Sequence, residues 1–148
     1  AFGMLSAMTE TSGLFGDNSE ALLLAAGLNE IQIIGRAMGA THPETFTSIS
    51  GIGDLDVTCR SKYGRNRKFG REIITAAVLD TFSGIDDLIA RIGTIGYLPE
   101  GIVACAYLGK IAVKYELKLP LCTGLYKILN KELCPTEFIE DMLSGNKN

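Results

Sequence analysis

The stretch that decides the fold is Asp17-Asn18-Ser19-Glu20-Ala21-Leu22-Leu23-Leu24-Ala25-Ala26-Gly27-Leu28-Asn29-Glu30-Ile31-Gln32-Ile33-Ile34-Gly35-Arg36-Ala37-Met38-Gly39. Ala21, Leu24, Leu28, Ile31, Ile34 and Met38 fall at the spacing that gathers side chains on one face of an α-helix. Asp17-Asn18-Ser19-Glu20 has the form of a capping box. A side-chain oxygen at Asp17 would accept from an orphan amide, and Glu20 would reach back. Gly39 is a natural stop. The pattern predicts one long helix of roughly five to six turns.

Outward from it, the chain reads as helix almost throughout. Thr41-His42-Pro43-Glu44 opens a short helix with proline near its first turn. Ser50 to Gly53 reads as a turn, and Leu55 to Cys59 fits helix or strand. A basic segment then opens a helix running to about Val78. Ser83-Gly84-Ile85-Asp86 starts another that ends at Gly93. A helix from Pro99 or Glu100 runs to Tyr115, with Ile102, Val103, Ala106, Leu108, Ile111 and Val113 on its apolar side. Pro120 begins the next, ending near Lys131, and residues 135 to 143 form the last. There is no internal repeat and no alternating strand pair with a hairpin signal. About seven helices on short loops predict an all-α domain over residues 1–148.

Composition narrows the function classes. The 148 residues are 47% apolar and 21% charged, which suits one globular domain. Tryptophan is absent and the net charge is −3, which argues against a nucleic-acid partner. No apolar run approaches the ~18–20 residues that span a bilayer. Cys59, Cys105, Cys122 and Cys134 form no C-x-x-C pair, and His42 is the only histidine, so no metal is expected. Reduced cysteines in a cytoplasmic protein are the favoured reading. The chain begins Ala1-Phe2-Gly3-Met4, already in an apolar segment. The expectation is a piece of a longer protein, with its first helix truncated.

Charge is unevenly spread. Arg60, Lys62, Arg65, Arg67, Lys68 and Arg71 stand within twelve residues that hold no acid. An acidic chain that gathers its cations in this way suits an anion site, and arginine beside an amide suits phosphate. Charge alone favours a solvated face; Gly64 and the adjacent Arg65-Asn66 bring the two readings level. Just upstream, Gly51-Ile52-Gly53-Asp54-Leu55 carries a carboxylate. Asp54 reads either as a helix cap or as a group that orients a lysine or binds a substrate hydroxyl. Gly51-x-Gly53 is not a dinucleotide fingerprint, because Asp56 stands where a glycine is needed. His42 reads as surface or cap, Glu100 as an acid at a helix start, and Tyr63 and Phe69 as core or rim packing.

Taken in order, Gly16-Asp17-Asn18-Ser19, Gly51-Ile52-Gly53-Asp54-Leu55 with Thr58-Cys59, Arg65-Asn66-Arg67-Lys68-Phe69-Gly70 and Glu100-Gly101 resemble NAD(P)-dependent glycerol-3-phosphate dehydrogenase, bacterial type. The resemblance covers about residues 13 to 143. It implies the C-terminal, all-helical substrate-binding domain of a two-domain enzyme, of the 6-phosphogluconate dehydrogenase C-terminal type. The partner domain would be a Rossmann domain holding NAD(P)(H). The implied reaction interconverts sn-glycerol 3-phosphate and dihydroxyacetone phosphate. By position, Asp54, Gly64, Arg65 and Asn66 look like substrate-binding residues, with Gly64 where bacterial members often have serine. Arg65, Leu98 and Glu100 look like cofactor contacts. The family's catalytic lysine belongs to a Lys-Asn pair that would lie just before Ala1, and Asp54 would orient it. The expectation is therefore that this chain alone is inactive. The alternatives are the helical domain of another Rossmann-type dehydrogenase with a different phosphorylated or hydroxy-acid substrate, or a helical oligomerisation module. A homodimer is left open, as is the choice between NADH and NADPH.

Overall fold

A computed structural model describes residues 1–14 and 16–145. Among these there are helices and no strands, in the order α1 (Phe2–Thr11), α2 (Asp17–Ala37), α3 (Ile49–Arg60), α4 (Arg65–Thr75), α5 (Ile85–Ala90), α6 (Gly101–Lys114), α7 (Pro120–Leu129) and α8 (Pro135–Ser144). Short 3-10 turns at Pro43–Thr47, Val78–Thr81 and Ile92–Ile95 join them. The all-α expectation holds.

The centre of the molecule is α1. Every residue from Phe2 to Thr9 is buried. A helix that is apolar on all sides has no face to give to water and is enclosed by its neighbours. Here α4, α3, α2, α6, α7 and α8 all touch it. The approach of α4 is backbone to backbone, since a Cβ on Gly70 would lie 2.4 Å from the Met4 carbonyl oxygen. Phe69, Leu88, Ile102, Leu125, Ile128 and Ile139 complete the core around it. Buried polar groups on α1 find partners. Ser6 Oγ donates to the Cys59 carbonyl at 2.7 Å, and Thr9 Oγ1 donates to Leu5 at 2.9 Å.

Local readings are met in most places and corrected in a few. The long helix begins at Asp17 and is followed by Gly39 at φ +91°. Its N-cap is Gly16, which makes no side-chain cap, so Asp17 is helical rather than the capping residue. The Asp17 side chain lies outside the described residues. Ser50 to Gly53 is not a turn: Ser48 caps α3 by accepting from Gly51 N at 3.3 Å, and the glycines are helical. That also overturns the cap reading of Asp54, which sits inside α3. The basic helix ends at Thr75 rather than Val78, where Ala77 turns left-handed at φ 47°. The helix expected to end at Gly93 stops at Ala90. Val113, expected on the apolar side of α6, is 81% exposed.

One buried carboxylate escaped the sequence reading. Glu30 on α2 is 2% exposed and accepts from Leu121 N at 2.6 Å and Cys122 N at 3.0 Å. It thereby caps α7, whose own N-cap Leu119 has no side-chain acceptor. The four cysteines are unbridged. Burial pushes the Cys59 thiol up to about 11 and Cys105 up to about 12, so both stay protonated and poorly nucleophilic. No helix of the described residues is long and apolar enough to cross a membrane.

Candidate substrate-binding site

Three helix starts meet at one place. Asn66, on the first turn of α4, accepts through Oδ1 from Gly101 N at 2.8 Å, on the first turn of α6. Gly101 lies flush against the start of α1, since a Cβ there would be 2.8 Å from Ala1 N and 2.9 Å from Met4 Cε. The bond to Gly101 settles which way the Asn66 amide points. A backbone N–H can be met only by an acceptor, so the oxygen faces Gly101 and the NH2 group faces away with both donors.

The first turn of α4 is electrostatically unfavourable as it stands. Arg65, Arg67 and Lys68 occupy the positive end of the helix dipole, and no acid is present there. Gly64 is its N-cap at φ −62° and ψ 125°, an ordinary conformation, and it offers no side-chain oxygen. What happens to each cation decides what the segment can do. Arg67 is 5% exposed. Its Nη1 donates to Ser6 Oγ at 2.8 Å and to the Cys59 carbonyl, and its Nη2 pairs with Glu10. Arg60 is taken by Asp56 at 2.6 Å and Glu20 at 2.8 Å. Lys68 lies 4.1 Å from the Tyr97 ring centroid and 3.9 Å from Glu72. Arg71 reaches the Lys62 carbonyl at 3.5 Å.

The six-cation cluster of the sequence thus resolves into structural and outward-facing members. Arg65 faces outward, held only by a loose 3.4 Å contact from Nη2 to Glu100 Oε1. Lys62 has no carboxylate within ion-pair reach among the described residues. Leu98 is exposed two residues before Glu100, whose N–H donates to the Leu98 carbonyl at 3.2 Å. Gly64, Arg65, Asn66, Leu98 and Glu100 are therefore gathered together from segments 35 residues apart.

Asp54 stands in a second hollow. It is exposed, and it lines an open space of about 410 Å³ with Ser50, Leu55 and Thr58 of α3, Ile31 of α2 and Phe46. Thr58 is one turn beyond Asp54, and its carbonyl and methyl group pack on Gly3. Both hollow and helix-start cluster consequently abut the first turn of α1. Thr58 entered the sequence reading only as part of the motif and was given no role; its i,i+4 spacing from Asp54 was the signal for one. His42 is exposed, with Nδ1 3.0 Å from Glu44, well suited to the surface role expected of it. No group of three or more His, Cys, Asp or Glu among the described residues is arranged to hold a metal.

A family model described as NAD-dependent glycerol-3-phosphate dehydrogenase C-terminus matches residues 1–140. A glycerol-3-phosphate dehydrogenase (NAD(P)+) of Treponema denticola is 71% identical over 146 residues, covering 99% of this chain and 41% of that protein. The enzyme of the same name from Treponema pallidum is 59% identical over 143 residues, 97% of this chain and 40% of its own length. One from Clostridium botulinum is 35% identical over 133 residues, 90% of this chain and 37% of its own. The chain spans about two fifths of the curated relatives it matches.

Proposed function

The chain belongs to the family of NAD-dependent glycerol-3-phosphate dehydrogenase C-terminal domains, and on that premise we propose that it grasps the substrate for an enzyme interconverting sn-glycerol 3-phosphate and dihydroxyacetone phosphate with NAD(P)(H). The observation that carries this is the start of α4. An acid-free helix end presents an outward guanidinium, an oriented amide donor and free backbone N–H groups, a set that lacks only an anion. Phosphate would displace Glu100 from Arg65, take the Asn66 NH2 group, and meet the open backbone amides of Arg65 and Asn66 in place of a side-chain hydroxyl at Gly64.

Anchoring the phosphate there positions the C2 carbon by remote binding. Asp54 would orient a lysine supplied by residues preceding Ala1 in the longer protein, and its negative charge favours that lysine's protonated form. The lysine gives a proton to the C2 oxygen in the reducing direction and takes it back in the other. Leu98, Glu100 and Arg65 offer an apolar side chain, a carboxylate and a guanidinium side by side. That set fits one edge of a nicotinamide dinucleotide, with hydroxyls toward Glu100 and phosphate toward Arg65. When bound, the cofactor supplies or accepts the hydride, and a Rossmann domain outside this chain holds most of it. Without that domain and the lysine, the 148 residues alone would be inactive. A cytoplasmic setting fits a charged, water-soluble substrate and cofactor.

The test is Arg65→Ala in the full-length enzyme. Removing a charge-assisted hydrogen-bond donor should raise KM for glycerol 3-phosphate roughly 10- to 100-fold. An unchanged KM would contradict the phosphate assignment. No observation favours a different dehydrogenase substrate or a purely oligomeric role over this reading.

A further inference from the structure

We infer that Arg67 is a positioning residue for the proposed reaction: its buried guanidinium fixes the span between Asp54 and the phosphate grip at Arg65 and Asn66. The inference rests on the substrate reading above. Asp54 lies on α3 and the grip on the first turn of α4, so the loop of residues 61–64 stands between them. That loop holds itself weakly. Gly64 N donates to the Ser61 carbonyl at 3.3 Å, and Arg71 Nη2 reaches the Lys62 carbonyl only at 3.5 Å. The Arg67 fork bridges it instead. Nη1 donates to the Cys59 carbonyl at the end of α3 and to Ser6 Oγ on α1. Nη2 pairs with Glu10, one turn further along α1. The stem runs past α1 and the loop together, with Cγ 3.6 Å from where a Cβ on Gly3 would lie and 3.8 Å from one on Gly64. One side chain, next in sequence to Asn66, thus sets the register of three helices.

Packing alone does not call for this residue. The start of α4 is the positive end of its own dipole, and burying a cation there is unfavourable. Arg67 Nε is buried with no partner among the described residues, which adds to the cost. Ser6 Oγ donates to the Cys59 carbonyl at 2.7 Å by itself, so that oxygen would not be stranded without the guanidinium. Glu10 is half-exposed, and water would serve it. An unbranched apolar side chain would fill the same slot without these costs. What arginine alone supplies is a rigid planar fork that holds several partners at fixed angles. Such rigidity matters where two groups act on one small molecule. Covalent bonds fix the distance from the substrate's phosphate to its C2 carbon. Binding at Arg65 and Asn66 therefore aligns C2 only if Asp54 stands at a matching distance. A misplacement of ~1 Å costs on the order of 100-fold in rate.

The test compares dihydroxyacetone phosphate with dihydroxyacetone, which lacks the anchor, in the full-length enzyme. The ratio of their kcat/KM values reads how well the phosphate grip aligns C2. It does not depend on what fraction of the enzyme folds. Arg67→Lys keeps the charge without the fork, and Arg67→Met keeps the stem alone. Each should lower the ratio roughly tenfold or more. A merely structural arginine would lower both kcat/KM values together, and an unchanged ratio would overturn the inference. Ser6→Ala removes one anchor of the fork at almost constant volume and should lower the ratio about threefold. It decides the question where the Arg67 variants fail to fold, an unchanged ratio again counting against the inference. Failure of the substrate reading is separable. In that case Arg65→Ala leaves the ratio at its wild-type value, whereas if Arg67 alone is misassigned, Arg65→Ala lowers the ratio and Arg67→Lys does not.

Discussion

Asn66 uses both ends of one amide. Its oxygen ties α4 to α6 at Gly101, and that bond leaves its nitrogen free to donate outward. Asn66→Asp separates the two roles. The carboxylate still accepts from Gly101, so the fold and thermal midpoint should hold. The outward donor becomes an anion facing the phosphate, and KM for glycerol 3-phosphate in the full-length enzyme should rise roughly 100-fold or more. Steady-state kinetics beside a thermal melt reads both. Arg65-Asn66 was visible in the sequence because an arginine next to an amide on a glycine-led helix start is a local pattern. Arg67, two residues on, reads identically in sequence and does something else. Its guanidinium is spent on Ser6 and Glu10, 61 and 57 residues away, and a local pattern cannot carry that information.

At the level of elements, helix starts carry most of the design. α3 begins on its own Ser48, whereas α7 begins on a carboxylate borrowed from α2. Glu30→Ala would strand two buried amides, so the unfolding free energy in urea should fall by about 2–3 kcal/mol. Glu30→Gln keeps one acceptor and should lose about half of that. Neither removes a bond made by Arg65 or Asn66, whose partners are Glu100 and Gly101, so KM for glycerol 3-phosphate should hold. Most helices were legible from their periodicity and prolines, while Glu30 resembled any polar residue on the flank of α2. The glycines of Gly51-Ile52-Gly53 pointed to a turn because glycine favours turns. They are helical because Ser48 caps them and because Gly51 lies hard against residues 45 and 46, where a Cβ would be 2.5 Å from the Phe46 carbonyl. α1 was anticipated only as a truncated first helix in an apolar segment, because a helix buried on every side shows little amphipathic period.

Across the whole molecule, α1 is the shared floor of the site. Thr58 rests on Gly3, and Asn66 meets Ala1 through Gly101, so the Asp54 side and the Arg65 side hold their relation through one helix turn. Leu5→Ala removes a side chain with no exposed surface and should cost about 3 kcal/mol. Chevron analysis should find that loss almost wholly in faster unfolding, with the refolding rate barely changed. A refolding rate that drops in proportion would mean that α1 docks early instead. The kinetic expectation follows from chain order. α1 precedes the helices that enclose it, and its partners extend as far as α8, more than 120 residues later. An apolar helix must therefore wait, unsheltered, until nearly all of the later chain exists to wrap it. Contacts between α1 and α8 are non-local, and they bring the slower maturation and greater exposure to aggregation of long loop closures.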